Sequence, residues 1–462
     1  MEVPPIAVDR TAAAPLPVQV ATGLRDAAVA GTLAAGERLP STRELARALG
    51  VSRTVTAAAY DQLLAEGWVQ GRRGVGTFVV RHPAPVRVPP QEVRVPRAPT
   101  GGVVPLVDLR AGAPCAEVLD RAAWRRAWRA AGDRPPDARP DARGDLAFRA
   151  AVAGDLLRHR GLVVGADDVL ATTGTSAAVA EVAALLPAGA RVAVEDPGYR
   201  RAVAALRAAG LVPVPVPVDD DGLVVGAVPA GVAAVCCTPA HQFPTGGRMP
   251  VVRRALLVER ARAEGFVVLE DDYDGELRYD VAPLPLLASL APDVVVHLGT
   301  TSKTVSPTLG AGWLVAPAPL RDALLEVRTT TGTRPPRAGQ RVLASMAASG
   351  DLARHLRRLR RELSGRRELV RAAVVAAGRE PVGDAAGAHL VVPLPSRSEE
   401  EDVVSSARRA GIALSGLAES CLVSPRAGVV VGWAAPRREE LVAALPLLTA
   451  VLDGRARSSP AG

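Results

Sequence analysis

The sequence predicts an α/β chain in two regions. A small N-terminal module of helices closes with a β-hairpin, and a large C-terminal region is built on a mainly parallel sheet wrapped by helices. Three observations predict this. A stretch rich in Pro, Arg and Val, "RHPAPVRVPPQEVRVPRAPTGGVVP" at 81–105, has no helical period and reads as an extended linker. Before it, capped helical segments precede two short apolar runs joined by a glycine-rich tip. After it, apolar runs alternate with Ala/Leu/Arg helical segments, the rhythm of a parallel sheet covered by helices. The boundaries read as 15–80 for the module, 81–105 for the linker and 106–455 for the large region, with "GRARSSPAG" as a disordered tail.

Composition bounds the function classes. The chain has 462 residues, 48% of them hydrophobic, enough for more than one core. A formal net charge of +8 permits a polyanionic partner. The four cysteines, Cys115, Cys236, Cys237 and Cys421, show no paired metal spacing, and the adjacent pair cannot easily bridge. No metal site is expected, and a reduced cytoplasm suits this cysteine usage. The first residues lack the basic start and long apolar run of a signal peptide, and no apolar run is long enough to span a bilayer, so no membrane role is expected. No internal repeat is visible.

In the N-terminal module, "VQVATGLRDAAVAG" carries a helical apolar face and stops at Gly31. After the turn "TLAAGERLP", Ser41 and Glu44 form a capping box for "STRELARALG", which Gly50 ends. A tight "GVS" turn follows, and Ser52 caps "RTVTAAAYDQLLAEG", where Val55, Ala59 and Leu63 share one face. "WVQ" and "TFVV" read as strands joined by "GRRGVG". Helix, helix-turn-helix and hairpin make a winged helix-turn-helix. Its second helix would enter the DNA major groove by its N-terminal turn, at Ser52, Arg53 and Thr54. Arg43, and Arg73 with Gly74 in the wing, would meet phosphates or groove edges. The plain alternative is a helical hairpin whose arginines are ordinary solvated charges. The ordered set "GERLPSTRELARALGVSRTVTAAAYDQLLAEGWVQGRRGVGTFV" resembles the DNA-binding domain of the GntR family of bacterial regulators, which implies an operator-DNA partner.

In the large region, strands are expected at "RVAVED", "VPVPVPVD", "AAVCCTP", "FVVLEDD" and "VVVHLGT", and helices at "SAAVAEVAALL", "RRAVAALRAAG" and "VVRRALLVERARAEG". In such sheets ligands bind beyond the C-terminal strand ends. Tyr199, His241, Asp271, Tyr273 and Lys303 all fall there. Among 56 Lys plus Arg, Lys303 is the single lysine. Arginine can replace lysine as a charge, but its guanidinium cannot serve as a nucleophilic amine. A lysine near a strand-end carboxylate and a tyrosine suggests pyridoxal phosphate chemistry, because the aldehyde needs a primary amine for its Schiff base. Asp271 would hold the pyridinium proton, the Tyr273 hydroxyl would bond the ring O3′, and Tyr199 would stack on the ring. The helix start "TTGTSAAVAEV", at Gly174, offers backbone N–H groups and the Thr175 and Ser176 hydroxyls for the phosphate, with Thr300 and Ser302 adding more. His241 reads equally as a structural hydrogen-bonder or a cofactor contact.

The stretches "RRAWRA", "LRHRGL", "VAVEDPGY", "TPAHQFPTG", "LEDDYDGELRY", "LGTTSKTVSPTLGAGWLVAP" and "RHLRRLRRELSGRREL" resemble, in order, the aminotransferase-like domain of the MocR-type subgroup of GntR regulators. That resemblance implies a fold-type I aminotransferase-like domain with a small C-terminal α/β subdomain, Lys303 as Schiff-base lysine, Asp271 as pyridine-nitrogen partner, Tyr199 as stacking ring, and a head-to-tail dimer. The sequence departs from it in four places. The phosphate-gripping arginine seven residues after the lysine is Gly310. The carboxylate-gripping arginine near the C-terminus is Val430. The tyrosine of a "YGDPxG" stretch is Arg139, and the glutamines usual after the glycine of "GTSA" are missing. Arg201 and Arg139 remain as possible carboxylate clamps, with Arg200 equally at hand. The expected function is a pyridoxal-phosphate-binding transcriptional regulator with pyridoxal phosphate or a small amino compound as effector. An active aminotransferase and a DNA-binding scaffold that has lost its cofactor are the alternatives.

Overall fold

A computed structural model of the protein describes residues 6–80, 106–281 and 284–454. The expected linker, 81–105, and the tail beyond Gly454 lie outside the described residues. The chain divides into two compact units, Met1–Gly101 and Gly102–Gly462.

The N-terminal unit contains helices Leu16–Val29, Thr42–Ala48 and Arg53–Ala65, then antiparallel strands Val69–Arg72 and Gly76–Val79. The Ser41 hydroxyl accepts from the Glu44 amide while the Glu44 carboxylate accepts from the Ser41 amide, the reciprocal cap. The Ser52 hydroxyl accepts from the Val55 amide and starts the next helix. Two side chains tie these helices together: the Thr56 hydroxyl donates to the Thr42 carbonyl, and the Tyr60 hydroxyl to the Pro40 carbonyl. Leu24, Leu45, Leu63 and Val79 form the buried centre. Burying one such leucine is worth about 1.5–3 kcal/mol. At the hairpin tip the Val75 amide donates to the Arg72 carbonyl and Gly74 has φ 74°, the left-handed position a type II turn requires.

The second unit is built on an eight-stranded sheet. In spatial order its strands are Val169–Thr172, Gly312–Val315, Val295–Thr300, Val267–Asp272, Ala234–Cys237, Arg191–Asp196, Val212–Asp219 and Gly222–Leu223. The five from Val295–Thr300 to Val212–Asp219 run parallel. Gly312–Val315 runs antiparallel to both neighbours, and Gly222–Leu223 is an antiparallel edge piece. Helices cover both faces, so the central strands are apolar on both sides. One core packs Phe148, Val235, Leu257 and Trp313 on one face, and a second packs Val179, Val194, Leu206 and Leu298 on the other.

The strand Val212–Asp219 shows how composition sets position. The Val212 amide donates toward Arg191–Asp196, to the Ala190 carbonyl, so by strand alternation Pro213, Pro215 and Pro217 turn their missing donors to the other side, where only the short Gly222–Leu223 pairs at the strand's far end. Three such prolines would disrupt a central strand; at the edge they blunt it against further pairing. A smaller three-stranded sheet, His389–Leu394, Ala427–Gly432 and Ser415–Gly416, packs with helices Asp351–Ala376, Arg397–Arg409 and Arg438–Leu452 around Leu363, Val403 and Trp433. No helix among the described residues is long and apolar enough to cross a membrane.

Candidate functional site

The C-terminal ends of the parallel strands open into a cavity of about 800 Å³. Lys303 reaches it from the turn after Val295–Thr300, and its Nζ donates to the Gly112 carbonyl at 2.6 Å. Burial, helped by the nearby Arg201 guanidinium, lowers the pKa of the ammonium, while Asp271 and Asp274 pull it back up. A lowered pKa frees the amine lone pair that a nucleophilic lysine needs.

Asp271 sits at the end of Val267–Asp272, buried among sheet neighbours. Burial, then the charges of Asp272 and Glu195, push its pKa up to about 8, against the pull of Lys303. Its Oδ1 is buried without a hydrogen-bond partner. Such an orphaned acceptor is costly, and a donor arriving from the cavity relieves it. Tyr273 lines the cavity two residues on. His241 does not line it. Its buried imidazole stands behind Tyr273, with Nδ1 2.8 Å from Asp274 Oδ2 and 3.0 Å from the Tyr273 hydroxyl. A carboxylate only accepts, so Asp274 places the proton on Nδ1, and the Tyr273 hydroxyl stands against the same carboxylate. Of the two sequence readings of His241, the geometry favours the structural hydrogen-bonder.

The opposite wall is the start of helix Thr175–Ala183. Gly174 precedes it with φ 139° and no side-chain cap, so the first amides of the helix face the cavity unpaired. A Cβ at Gly174 would lie 3.5 Å from Thr300 Oγ1 and 4.0 Å from Ser302 Oγ, narrowing the gap between the helix start and those hydroxyls. Thr300 Oγ1 donates to Ser302 Oγ at 3.0 Å. Helix amides and hydroxyls together make an anion cradle. Thr175, Ser176, Thr300 and Ser302 all line the cavity.

Tyr199 crosses the space between these walls, its hydroxyl 2.9 Å from Ser176 Oγ, and its ring meets Phe243 edge-on at 6.2 Å. Burial raises its phenol above the usual range, against its Ser176 hydrogen bond. Arg200 and Arg201 both border the cavity; Arg200 is turned to the Cys421 carbonyl. Val430, in the strand Ala427–Gly432, is a buried apolar wall of the cavity. Gly310 is not a lining residue; it ends a short 3-10 turn at φ 52°. Arg139 is exposed on a loop away from the cavity, so the clamp role considered for it is not met within one chain. Sequence reasoning passed over the Gly112 carbonyl, His389 and Asp274. His389 is one of six histidines and begins a buried strand, which is the only signal it offered. Burial and the neighbouring His241 hold its pKa down at about 3. The contact of Gly112 comes from a backbone atom and had no signal in residue type.

On the N-terminal unit, Arg43, Ser52, Arg53, Thr54, Arg73 and Gly74 are all exposed. No ion pair or hydrogen bond engages the side chains of Arg43, Arg53 or Arg73 among the described residues. Arg72, one residue before, lies over the Phe78 ring at 4.7 Å.

This fold and site define a class: a helix-turn-helix protein joined to a domain with the fold of pyridoxal-phosphate-dependent aminotransferases. Residues 16–79 match the family model "Bacterial regulatory proteins, gntR family", and residues 104–428 match "Aminotransferase class I and II". The chain is 37% identical to the HTH-type pyridoxine biosynthesis transcriptional regulator PdxR of Corynebacterium glutamicum, over 79% of this chain and 80% of that one. It is 30% identical to the probable rhizopine catabolism regulatory protein MocR of Rhizobium meliloti, over 93% and 92%. Among solved structures, an archaeal alanine:glyoxylate aminotransferase superposes with a TM-score of 0.71 at 22% identity, covering 76% of this chain and 91% of that one. The chain belongs to the MocR-type GntR family of DNA-binding transcriptional regulators.

Proposed function

We propose that this regulator binds pyridoxal phosphate in the cavity through Lys303, and that occupancy changes its affinity for operator DNA. The observation that carries the reading is the meeting, in one cavity, of the chain's single lysine with the orphaned carboxylate oxygen of Asp271. The cofactor supplies an aldehyde that condenses with a primary amine and a pyridine nitrogen that can carry a proton. Lys303 would provide the amine. Asp271 would accept from the pyridinium N–H, and Tyr273 would donate to the ring oxygen. The helix start at Gly174, Thr175 and Ser176, with Thr300 and Ser302, would hold the phosphate, and Tyr199 would cover the ring. Arg201 is the cation placed to take a carboxylate of a small amino-compound effector.

The relative named for pyridoxine biosynthesis supports vitamin B6 genes as targets. A cytoplasmic homodimer, arranged head to tail as the family resemblance implies, would place two helix-turn-helix modules on paired half-sites. Occupancy need only favour one arrangement of the modules, which requires differential affinity and no turnover. Operator affinity is to be measured with and without pyridoxal phosphate, for the natural chain and for Lys303→Ala. A cofactor-dependent shift in the natural chain that disappears in the variant is expected. Operator binding indifferent to the cofactor in both proteins overturns the sensing role.

A further inference from the structure

The small three-stranded sheet forms one wall of the cavity, and its register decides which side chains stand there. Val430 lies directly opposite Val391 on one neighbouring strand and directly opposite Ser415 on the other. Opposite residues share a face of a sheet, and so do residues two apart on one strand. His389, Ser415 and Val430 therefore project to the same side, and all three line the cavity. Opposite side chains of this kind stand roughly 5 Å apart and diagonal ones about 7–8 Å, close enough for two of them to hold one functional group. Val430 occupies the position where the family resemblance puts an arginine. The other cavity-lining side chains of this subdomain are Ala388, Ser420 and the exposed Glu419, so the wall carries no cation.

The chemistry of the wall follows from His389. Its buried ring packs against Phe243 at 5.3 Å and His241 at 5.2 Å. Nε2 lies 3.2 Å from the Pro244 carbonyl oxygen. A carbonyl only accepts, so Nε2 carries the proton. Burial keeps the ring neutral, so Nδ1 keeps its lone pair. No other hydrogen bond engages the ring among the described residues, and none engages the Ser415 hydroxyl. The wall thus offers an acceptor at Nδ1 and, at Ser415, a group that both donates and accepts. A ligand hydroxyl matches the pair: it donates to Nδ1 and accepts from Ser415 Oγ. A carboxylate would set its own lone pairs against that of Nδ1, and an alkyl group would leave both wall groups unpaired. An ammonium can only donate, and it would shed water against apolar Val430.

We propose that His389 and Ser415 select an effector that bears a hydroxyl, a hydroxy amino acid whose carboxylate is left to Arg201. The proposal rests on the reading of this cavity as the effector site. Calorimetric titration of the full chain with pyridoxal phosphate present compares L-serine with L-alanine, and L-homoserine with α-aminobutyrate. Each pair differs by one hydroxyl, at two reaches. In at least one pair the hydroxylated member is expected to bind at least about fivefold tighter, the share of one hydrogen bond. In His389→Phe and in Ser415→Ala that ratio should fall toward one while the member without the hydroxyl keeps its affinity. A general loss of structure would weaken both members alike. Ser415→Ala removes only a hydroxyl, so its result stands even if His389→Phe folds poorly. A ratio near one in both pairs, or no binding of any of the four, overturns the proposal. So does a ratio unchanged in both variants. Tighter binding of α,γ-diaminobutyrate than of L-homoserine also overturns it and assigns the wall to an ammonium. The cofactor reading fails separately: a chain that shows no absorbance from bound pyridoxal phosphate, yet prefers the hydroxylated amino acids, loses that reading and keeps this one.

Discussion

Lys303 is where composition and geometry meet. Arginine supplies every other basic side chain of the 56 Lys plus Arg, so a general preference for it accounts for scarce lysine but not for the one that remains beside a buried carboxylate. Its amine is held by a backbone carbonyl and lowered in pKa by burial. Borohydride treatment of the protein with pyridoxal phosphate should fix the cofactor's mass on the peptide containing Lys303. No other lysine competes, only the N-terminal amine. A protein that stays colourless and gains no mass returns the reading to the cofactor-free scaffold. Asp271 allows a second test, of sign. Its pKa is raised to about 8, and buried Glu195 and Glu270 are each raised to about 7, in all three cases mainly by burial. Below the ordinary carboxylate pKa both the folded and unfolded forms hold these protons. Between there and about pH 7–8 the folded form holds more, so stability falls as pH rises. The melting temperature of the cofactor-free protein should decline from pH 5 to pH 8. Asp271→Asn should reduce that slope, and an unchanged slope would remove Asp271 from the account.

At the scale of elements, caps and turns carried most of what was legible. The capping box at Ser41 and the cap at Ser52 are local chemistry, and both are present where the sequence places them. Ser52→Ala should cost about 0.5–2 kcal/mol of stability in a melt of the whole chain. Arg53→Ala should cost operator binding about 1–3 kcal/mol if the side chain reads a base. Arg73→Ala should weaken binding evenly across sequences and flatten its salt dependence. Operator affinity unchanged in both variants would displace the recognition helix from its assigned role. The five parallel strands were readable because they are apolar runs of the right length. Val169–Thr172 and Gly312–Val315 were not singled out. The first is only four residues long, and the second lies inside the lysine motif, where its antiparallel direction depends on partners distant in sequence. Gly310 makes a related point. Its φ of 52° is a left-handed position that favours glycine, so the residue answers to the backbone there. Gly310→Ala should destabilise the protein by about 1 kcal/mol, read as a lower urea midpoint.

At the scale of the whole molecule the question is whether the large domain is a catalyst or a sensor. A transaminase must grip its substrate carboxylate through two half-reactions and retain its cofactor while the lysine is detached. The family resemblance puts arginines at both grips. Here one position is Val430, a buried apolar wall, and the other is Gly310, outside the cavity lining. Arg201 is at hand for one carboxylate, but a single guanidinium does not replace a pair that fixes orientation. Positioning supplies much of catalysis, whereas binding tolerates its loss far better. On the proposed reading, the helix start at Gly174 and the Asp271 carboxylate would still hold pyridoxal phosphate at rest, when Lys303 would add its covalent bond. We therefore expect transamination of ordinary amino-acid and keto-acid pairs to be very slow or undetectable in steady-state assays, under conditions where the cofactor is bound and operator affinity responds to it. Introducing Val430→Arg should raise retention of carboxylate-bearing amino compounds, read as a shift in the cofactor's absorbance at lower ligand concentration. Rapid multiple turnover by the natural chain, with operator binding indifferent to the cofactor, would make the large domain an enzyme and leave the helix-turn-helix as its tether.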